Sequence, residues 1–517
     1  MNFANTERRG PEINPWLVAM SVMLATFMEV LDTSVANVAL PHIAGSLSAS
    51  VDESTWVLTS YLVANAIVLP LSGWFSSLFG RKRFYLVCVL LFTASSFACG
   101  FAPSLGMLIL FRTLQGLGGG SMQPIAQAIL VESFPKSKQG MAMAVYGMGV
   151  IFAPVIGPTL GGWITDNYTW RWIFLINIPI GALAFLMAQF FVFDPPYLKR
   201  RDTRNGIKLD YIGLGLITTG LAFLEVMLDE GQRRDWFGSS LISWSAVLAV
   251  ACLAIAVIWE LRQKDPIVQL RMLKNRNFAL ATAMMYLLGF VLYGSTMLMP
   301  VFLQTLLGYT ALLSGLVLSP GGLLVLVALP MVGYMMNKTQ PRFLIVFGLS
   351  ISALALYRMT QFNLTLDFRT AMLSRCLQML GTGFLFVPIN ASAFMFIAKQ
   401  QVNSGTGLIN LARNIGGSAG IATATTMLAR RQQFHQQILV SHLTPLDSAY
   451  QSISSGLTQA LASQGASAAD AAQQSQAMLY GMVQQHSAML AFIDDFWFMS
   501  LVCLAMIPLA LTLRRPR

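Results

Sequence analysis

Glu29 and Asp32 stand three residues apart in the stretch FMEVLDTSVANVALP, residues 27–41, and the run before them, Trp16 to Thr26, carries no charge. On a helix that spacing puts both carboxyls on one face. A charged side chain at the centre of a bilayer costs about 2.5–3.5 kcal/mol on insertion scales, so acids retained there point to ion handling. Desolvation favours the neutral form of a carboxyl. A buried acid can therefore take up a proton near neutral pH and release it when water or a cation arrives. Proton and cationic substrate then compete for one negative site, as exchange of one for the other requires. The opposing reading is a structural ion pair with an intramembrane arginine.

Arg112 is the expected electrostatic partner. Arginine keeps its proton in proteins, so it supplies a fixed charge that tunes nearby acids, or else a hub for helix packing. Gln115, one turn on, shares that network. Arg375 and Arg413 are intramembrane cations of the second half, with packing and coupling roles both open. Pockets for hydrophobic cations favour aromatic rings and adaptable side chains. By helix position the candidate substrate contacts are Glu29, Asn37, Tyr61, Gln115, Gln123, Tyr146, Tyr286, Tyr293, Gln378, Asn390 and Arg413. Glu225 and Asp229 read as a helix end near outer water. His435, His442 and His486 have no metal spacing, and the five cysteines lie in apolar runs as small core residues. No metal or cofactor is expected. A Walker A pattern is absent, as are HExxH and GxSxG, which argues against ATP-driven pumping and against a membrane protease or hydrolase. The acids point to a proton gradient as the energy source.

The elements that position these residues must be membrane helices. The chain has 517 residues, 55% hydrophobic and 11% charged, whereas soluble proteins carry roughly 25% charged residues. Spans need about 20 apolar residues. Fourteen candidates start near Trp16, Ser54, Phe84, Met107, Met141, Trp172, Leu209, Ser240, Phe278, Leu312, Phe343, Thr370, Gly407 and Leu490. With both termini cytoplasmic, the tails and even-numbered loops hold most of the Lys and Arg, while the first outer loop, ALPHIAGSLSASVDES, holds none. That asymmetry is the positive-inside rule, and it accounts for the net charge of +11 without a nucleic-acid partner. The expected organisation is an all-α membrane fold: a cytoplasmic tail 1–15, six helices in 16–195, two linking helices in 196–276, and six helices in 277–517. The outer segment 430–489 within the last block is rich in Gln and Ala, which are good helix formers. It reads as a helical hairpin broken near Gly456 or Gly465.

Two segments repeat. Arg112-Thr-Leu-Gln-Gly-Leu-Gly-Gly-Gly and Arg375-Cys-Leu-Gln-Met-Leu-Gly-Thr-Gly both read R-x-L-Q-x-L-G-x-G. A weaker pair is Gly73 to Arg83 with Gly333 to Arg342. Repeated helix bundles with a site between them are a common transporter design. On these residues the sequence resembles the major facilitator superfamily, and within it the fourteen-helix drug–proton antiporters of the EmrB/QacA type. Leu31 to Pro41 resembles the first-helix signature, and Gly73, Gly80, Arg81 and Arg83 mark the cytoplasmic loop motif. Gly147, Pro154, Gly157, Pro158, Gly161 and Gly162 resemble the fifth-helix antiporter motif, a tight, kinked gate. Trp170 to Gly181 and Leu303 to Tyr309 are further marks. The loop motif departs from the family at Ser77 and Leu78, where an acidic and a basic residue are usual. Glu29 is not a fixed feature of the family signature, and its part in proton coupling rests on this sequence alone. The resemblance implies proton coupling through Asp32, at the family's acid position, and Arg112. It further implies drug export across a bacterial inner membrane, working with an EmrA-like periplasmic adaptor and an outer-membrane channel. Export of fatty acids or of a native metabolite such as a siderophore is a second reading, and a transport-inactive sensor or scaffold a third.

Overall fold

A computed structural model describes residues 14–135, 138–194, 210–264, 266–398, 401–441, 443–444 and 446–513. Arg8, Arg9, Lys136, Lys199, Arg200, Arg201, Arg204, Lys208, Lys399, Arg514, Arg515, Arg517 and His442 lie outside the described residues, as do most of the 1–15 tail and the start of the 196–276 segment.

Apolar runs in lipid satisfy their backbone by helical hydrogen bonds, and every regular element among the described residues is helical. The chain begins with α1 (Pro15–Ser46), α2 (Val51–Ser54), α3 (Trp56–Val68), α4 (Ser72–Phe79) and α5 (Arg81–Gly100). It continues through α6 (Leu105–Gly119), α7 (Met122–Ser133), α8 (Gln139–Asn167), α9 (Trp172–Leu175) and α10 (Asn177–Phe191). Next come α11 (Tyr211–Glu230) and α12 (Ser240–Arg262), then α13 (Arg276–Thr305), α14 (Ala311–Met335) and α15 (Pro341–Met359). Last are α16 (Phe368–Phe394), α17 (Val402–Ser441), α18 (Ser448–Ser463) and α19 (Ala468–Leu511). Capping side chains set several starts. Ser104 accepts from the Met107 N–H, and Thr310 from that of Leu313. Asp367 accepts from Thr370, and its bonds to that residue hold the exposed carboxyl below the usual range.

Among the described residues eleven helices, with α9 and α10 taken together, are long and apolar enough to cross a membrane; α3 and α4, bent by 60°, make a twelfth if counted as one. The sequence reading counts fourteen. The two further candidates are α6 with α7, broken at Gly120 and Ser121, and α17, which carries the polar run Asn410 to Asn414. Both carry candidate site residues, Arg112, Gln115 and Gln123 on α6 and α7 and Arg413 on α17.

The repeat runs through the helices. Leu105 and Phe368 open α6 and α16, and Gln139 and Val402 open α8 and α17, each pair at the 263-residue offset that also separates Gln127 from Asn390. Gln127 and Asn390 hydrogen-bond to each other. Repeat-related residues that touch must lie beside the axis relating the halves, so this pair marks the centre of the molecule.

Close contacts hold α8 between α1 and α14. A Cβ on Gly157 would collide with the Ser34 side chain, and one on Gly161 would meet the Val35 carbonyl at 3.0 Å. Pro158 has no N–H, so the Pro154 carbonyl one turn back loses its helical partner; the Ser34 hydroxyl donates to it at 3.1 Å. At the other end of α8, Gly140 lies against Gly333 of α14. The repeat-related pair, α13 and α17, is packed through Gly416 and Gly420 against the carbonyls of Tyr286 and Phe290. Helix α11 packs on α12 and also touches α3 and α17.

Residues 430–489 comprise the end of α17, all of α18 and the first part of α19. Helices α18 and α19 pack together, with the Ser475 hydroxyl donating to the Ser454 carbonyl at 3.1 Å. The turn between them is at Gly465, whose φ of +96° glycine adopts without strain. Gly456 lies inside α18 with no break.

Candidate functional site

Glu29 and Asp32 share the buried side of α1 but have different sets of partners. Asp32 faces α6 and α10. Its Oδ2 lies 2.5 Å from Arg112 Nη1, and its Oδ1 accepts from Gln115 Nε2 at 3.0 Å and Asn177 Nδ2 at 2.6 Å. Arg112 also donates to Gln115 Oε1 at 2.7 Å and to the Val57 carbonyl at 3.1 Å. Its guanidinium stacks 4.3 Å from the centre of the Tyr61 ring. Acid, arginine and glutamine are all buried. Charge-assisted bonds of this kind are the strong ones, and every oxygen of Asp32 is engaged.

Glu29 faces the middle of the molecule. Its Oε1 accepts from Asn65 Nδ2 at 3.0 Å and from the Tyr61 hydroxyl at 3.3 Å, and its Oε2 accepts from Gln123. Gln123 in turn accepts from Arg413 of α17. The glutamine amide thus relays between an acid of the first half and a cation of the second. Around this relay, Asn410 donates to Gln127 at 2.7 Å, Asn414 to Asn65 at 3.4 Å, and the Tyr146 hydroxyl to the Gln123 carbonyl at 3.4 Å. Tyr61 joins the two networks, its hydroxyl on Glu29 and its ring under Arg112.

A third network lies in the second half. Arg375 donates to Gln378 Oε1 at 2.7 Å, to Ser295 Oγ at 3.3 Å and to Thr296 Oγ1 at 2.6 Å, while Gln378 Nε2 donates to Ser295 Oγ at 2.7 Å. The arginine is buried.

Of the candidate contacts, Tyr61, Gln123, Tyr146, Asn390 and Arg413 come together at the centre, Gln115 belongs with Asp32, and Gln378 with Arg375. Tyr286 and Tyr293 are half-buried on α13, packed against Gly416 and Gly417. Asn37 is exposed on α1, away from all three networks. In the loop motif the acidic partner missing at Ser77 is supplied from α7: Arg81 makes a two-pronged bond to Glu132 at 2.6 and 2.9 Å. Gly80 precedes it with a φ of +84°, and Lys82 receives Asp194 on its backbone N–H at 2.8 Å. Glu225 is not at a wet helix end, whereas Asp229 is half-buried next to the last residue of α11. Glu225 is buried and accepts from Ser418 of α17 at 2.7 Å, and Asp229 accepts from Thr59 of α3. The wedging of α11 between α3 and α17 puts them there, a placement that span counting does not reveal.

Asn65, Asn177, Gln127, Asn410 and Asn414 are site residues that sequence reading did not single out. Gln127 had a signal, its repeat relation to Asn390, and Asn177 lies inside the stretch Trp170 to Gly181. Single amides in apolar helices give no other mark.

A multi-pass helical chain with two repeat-related halves, and buried ionisable residues between them, has the design of a secondary transporter. The chain belongs to the Major Facilitator Superfamily, whose family model matches residues 22–421. It is 38% identical over 438 residues to the multidrug export protein EmrB of Haemophilus influenzae, covering 84% of this chain and 85% of that one. It is 36% identical over 454 residues to EmrB of Escherichia coli K12, covering 86% and 88%. The fatty acid resistance protein FarB of Neisseria gonorrhoeae is 37% identical over 447 residues, covering 86% of each. Among solved structures it is similar to the human organic anion transporter MFSD10, with a TM-score of 0.62 at 13% identity over 97% of this chain and 100% of that one. It also resembles the proton:xylose symporter XylE, with a TM-score of 0.60 at 12% identity over 97% and 96%. At such identities the likeness establishes the fold alone.

Proposed function

We propose that this chain is a proton-coupled antiporter that exports hydrophobic, often cationic compounds across a bacterial inner membrane. It has fourteen spans, arranged as six, two and six, with both termini in the cytoplasm. The observation that carries the reading is the pair of carboxyls on α1: Asp32 sealed against Arg112, and Glu29 linked through Gln123 to Arg413 of the other half. Protonation of Asp32 removes its charge from Arg112 and frees both groups to change partners. A cationic substrate at Glu29 competes with the proton and breaks the relay that ties the halves together. The similarity to EmrB supports multidrug export; the periplasmic adaptor and outer-membrane channel that the sequence motifs imply would meet the helices of 430–489. The similarity to FarB favours fatty-acid export as the second reading.

The test uses purified protein in proteoliposomes with an imposed pH gradient, following lumenal pH while lipophilic cations, acids and neutral compounds are added. Cation-dependent proton release is expected, and Asp32→Asn should fold yet lose gradient-driven export. Uphill transport at the normal rate by that variant would remove Asp32 from coupling. Proton release with fatty acids alone would select the second reading.

A further inference from the structure

Three buried arginines sit in the networks described above, and two have a carboxyl to balance them. Arg112 is ion-paired with Asp32, and Arg413 reaches Glu29 through one glutamine amide. Arg375 has neither. Among the described residues no carboxylate is ion-paired with it; its partners are two hydroxyls and an amide, and its Nε has no partner. A buried guanidinium stays charged, and burying it without a countercharge is costly.

The repeat identifies what is missing. Arg375 and Gln378 stand at the 263-residue offset from Arg112 and Gln115, and Ser295 stands at the same offset from Asp32. The bonds repeat with the positions. Arginine reaches residue 32 or 295 across the same separation of 80, and glutamine Nε2 donates to that residue across 83 in both halves. The carboxylate is absent. The stacked ring is absent too, since Leu324 stands at the offset from Tyr61. The second half therefore keeps the receptor for a carboxylate and has lost the carboxylate.

We propose that Arg375, Ser295, Thr296 and Gln378 form a binding site for a monovalent anion, an organic carboxylate or a halide, held between α13 and α16 where the first half holds the Asp32 side chain. Its charge neutralises Arg375, Gln378 donates to it, and the hydroxyls line it. The site is independent of drug–proton exchange, and its test reads equilibrium stability rather than transport.

The experiment compares the full chain in nanodiscs with Ser295→Asp. Thermal unfolding is followed in halide-free sulfate buffer of fixed ionic strength, titrated with sodium chloride in one arm and sodium octanoate in the other. A ligand that binds only the folded state raises the unfolding midpoint saturably. The wild-type midpoint is expected to rise in at least one arm. A rise with chloride identifies a halide site, and a rise with octanoate alone identifies an organic carboxylate. Ser295→Asp supplies the countercharge internally, so its midpoint without added anion should exceed that of the wild type and respond at least about tenfold more weakly to the anion. Should Ser295→Asp not fold, Arg375→Gln replaces it and should show no anion response. No saturable rise in either wild-type arm, or an undiminished rise in the variant, overturns the proposal.

Discussion

At the scale of single residues, Glu29 and Asp32 look alike in sequence and differ in surroundings. Asp32 has a fixed cation at 2.5 Å and two amide donors. Glu29 has amides and a hydroxyl, with Arg413 one amide further away. On the function proposed above, Glu29 is accordingly the acid freer to exchange its partners for a substrate cation. Glu29→Gln is expected to weaken equilibrium binding of lipophilic cations at least about tenfold while leaving neutral compounds little changed. Equal losses for both would make Glu29 a structural residue. Asn177 has the opposite character, serving only to hold Asp32 and Ser96. Asn177→Ala leaves a buried acceptor short of a donor, a cost of about 1–3 kcal/mol, visible as a lower unfolding midpoint. The acids and Arg112 were legible in the sequence because charge in an apolar run is conspicuous. Asn65 and Asn177 were not, because an amide in such a run is conspicuous only once its partner is known.

At the scale of elements, the glycine positions of α8 gain their meaning from what faces them. Gly157 admits Ser34, and Ser34 completes the carbonyl that Pro158 leaves open. Gly157→Val would push α1 away and break that bond together. Overpacking of this kind costs about 1–3 kcal/mol. The expected outcome is a lower unfolding midpoint and a drug-independent proton leak in proteoliposomes. Gly106→Ala is the control, since a Cβ there meets nothing within 4 Å; it should leave both readouts unchanged. A tight Gly157→Val variant without leak would separate the α1–α8 contact from sealing. The sequence placed the glycines and prolines on one helix but could not say which neighbour each one meets. Nor could it foresee that α11 would bury Glu225 against α17, because a partner distant along the chain leaves no local pattern.

At the scale of the whole molecule, the repeat was legible from two nine-residue motifs, and the same offset recurs in two pairs of helix starts and in buried bonds. What the motifs could not give is how the two halves meet. They meet through the Gln127–Asn390 pair at the axis, through the bonds of α7 to Arg413 and Asn410 of α17, through α8 on α14, and through α4 on α17. The last contact permits a decisive test of movement between the halves. A Cβ on Gly407 of α17 would lie 3.1 Å from the Ser72 hydroxyl at the start of α4. That is close to the separation of Cβ from the far sulfur in a disulfide, whose S–S bond is about 2.05 Å. Ser72→Cys with Gly407→Cys, in a background lacking the five native cysteines, should therefore cross-link under mild oxidant and join the halves covalently. A transporter that works by rocking one half against the other around a central site must part this contact once in each cycle. Export should stop on oxidation and return on reduction, while drug binding to the cross-linked form persists. Export that continues with the bond intact would mean that α4 and α17 move as one body through the cycle.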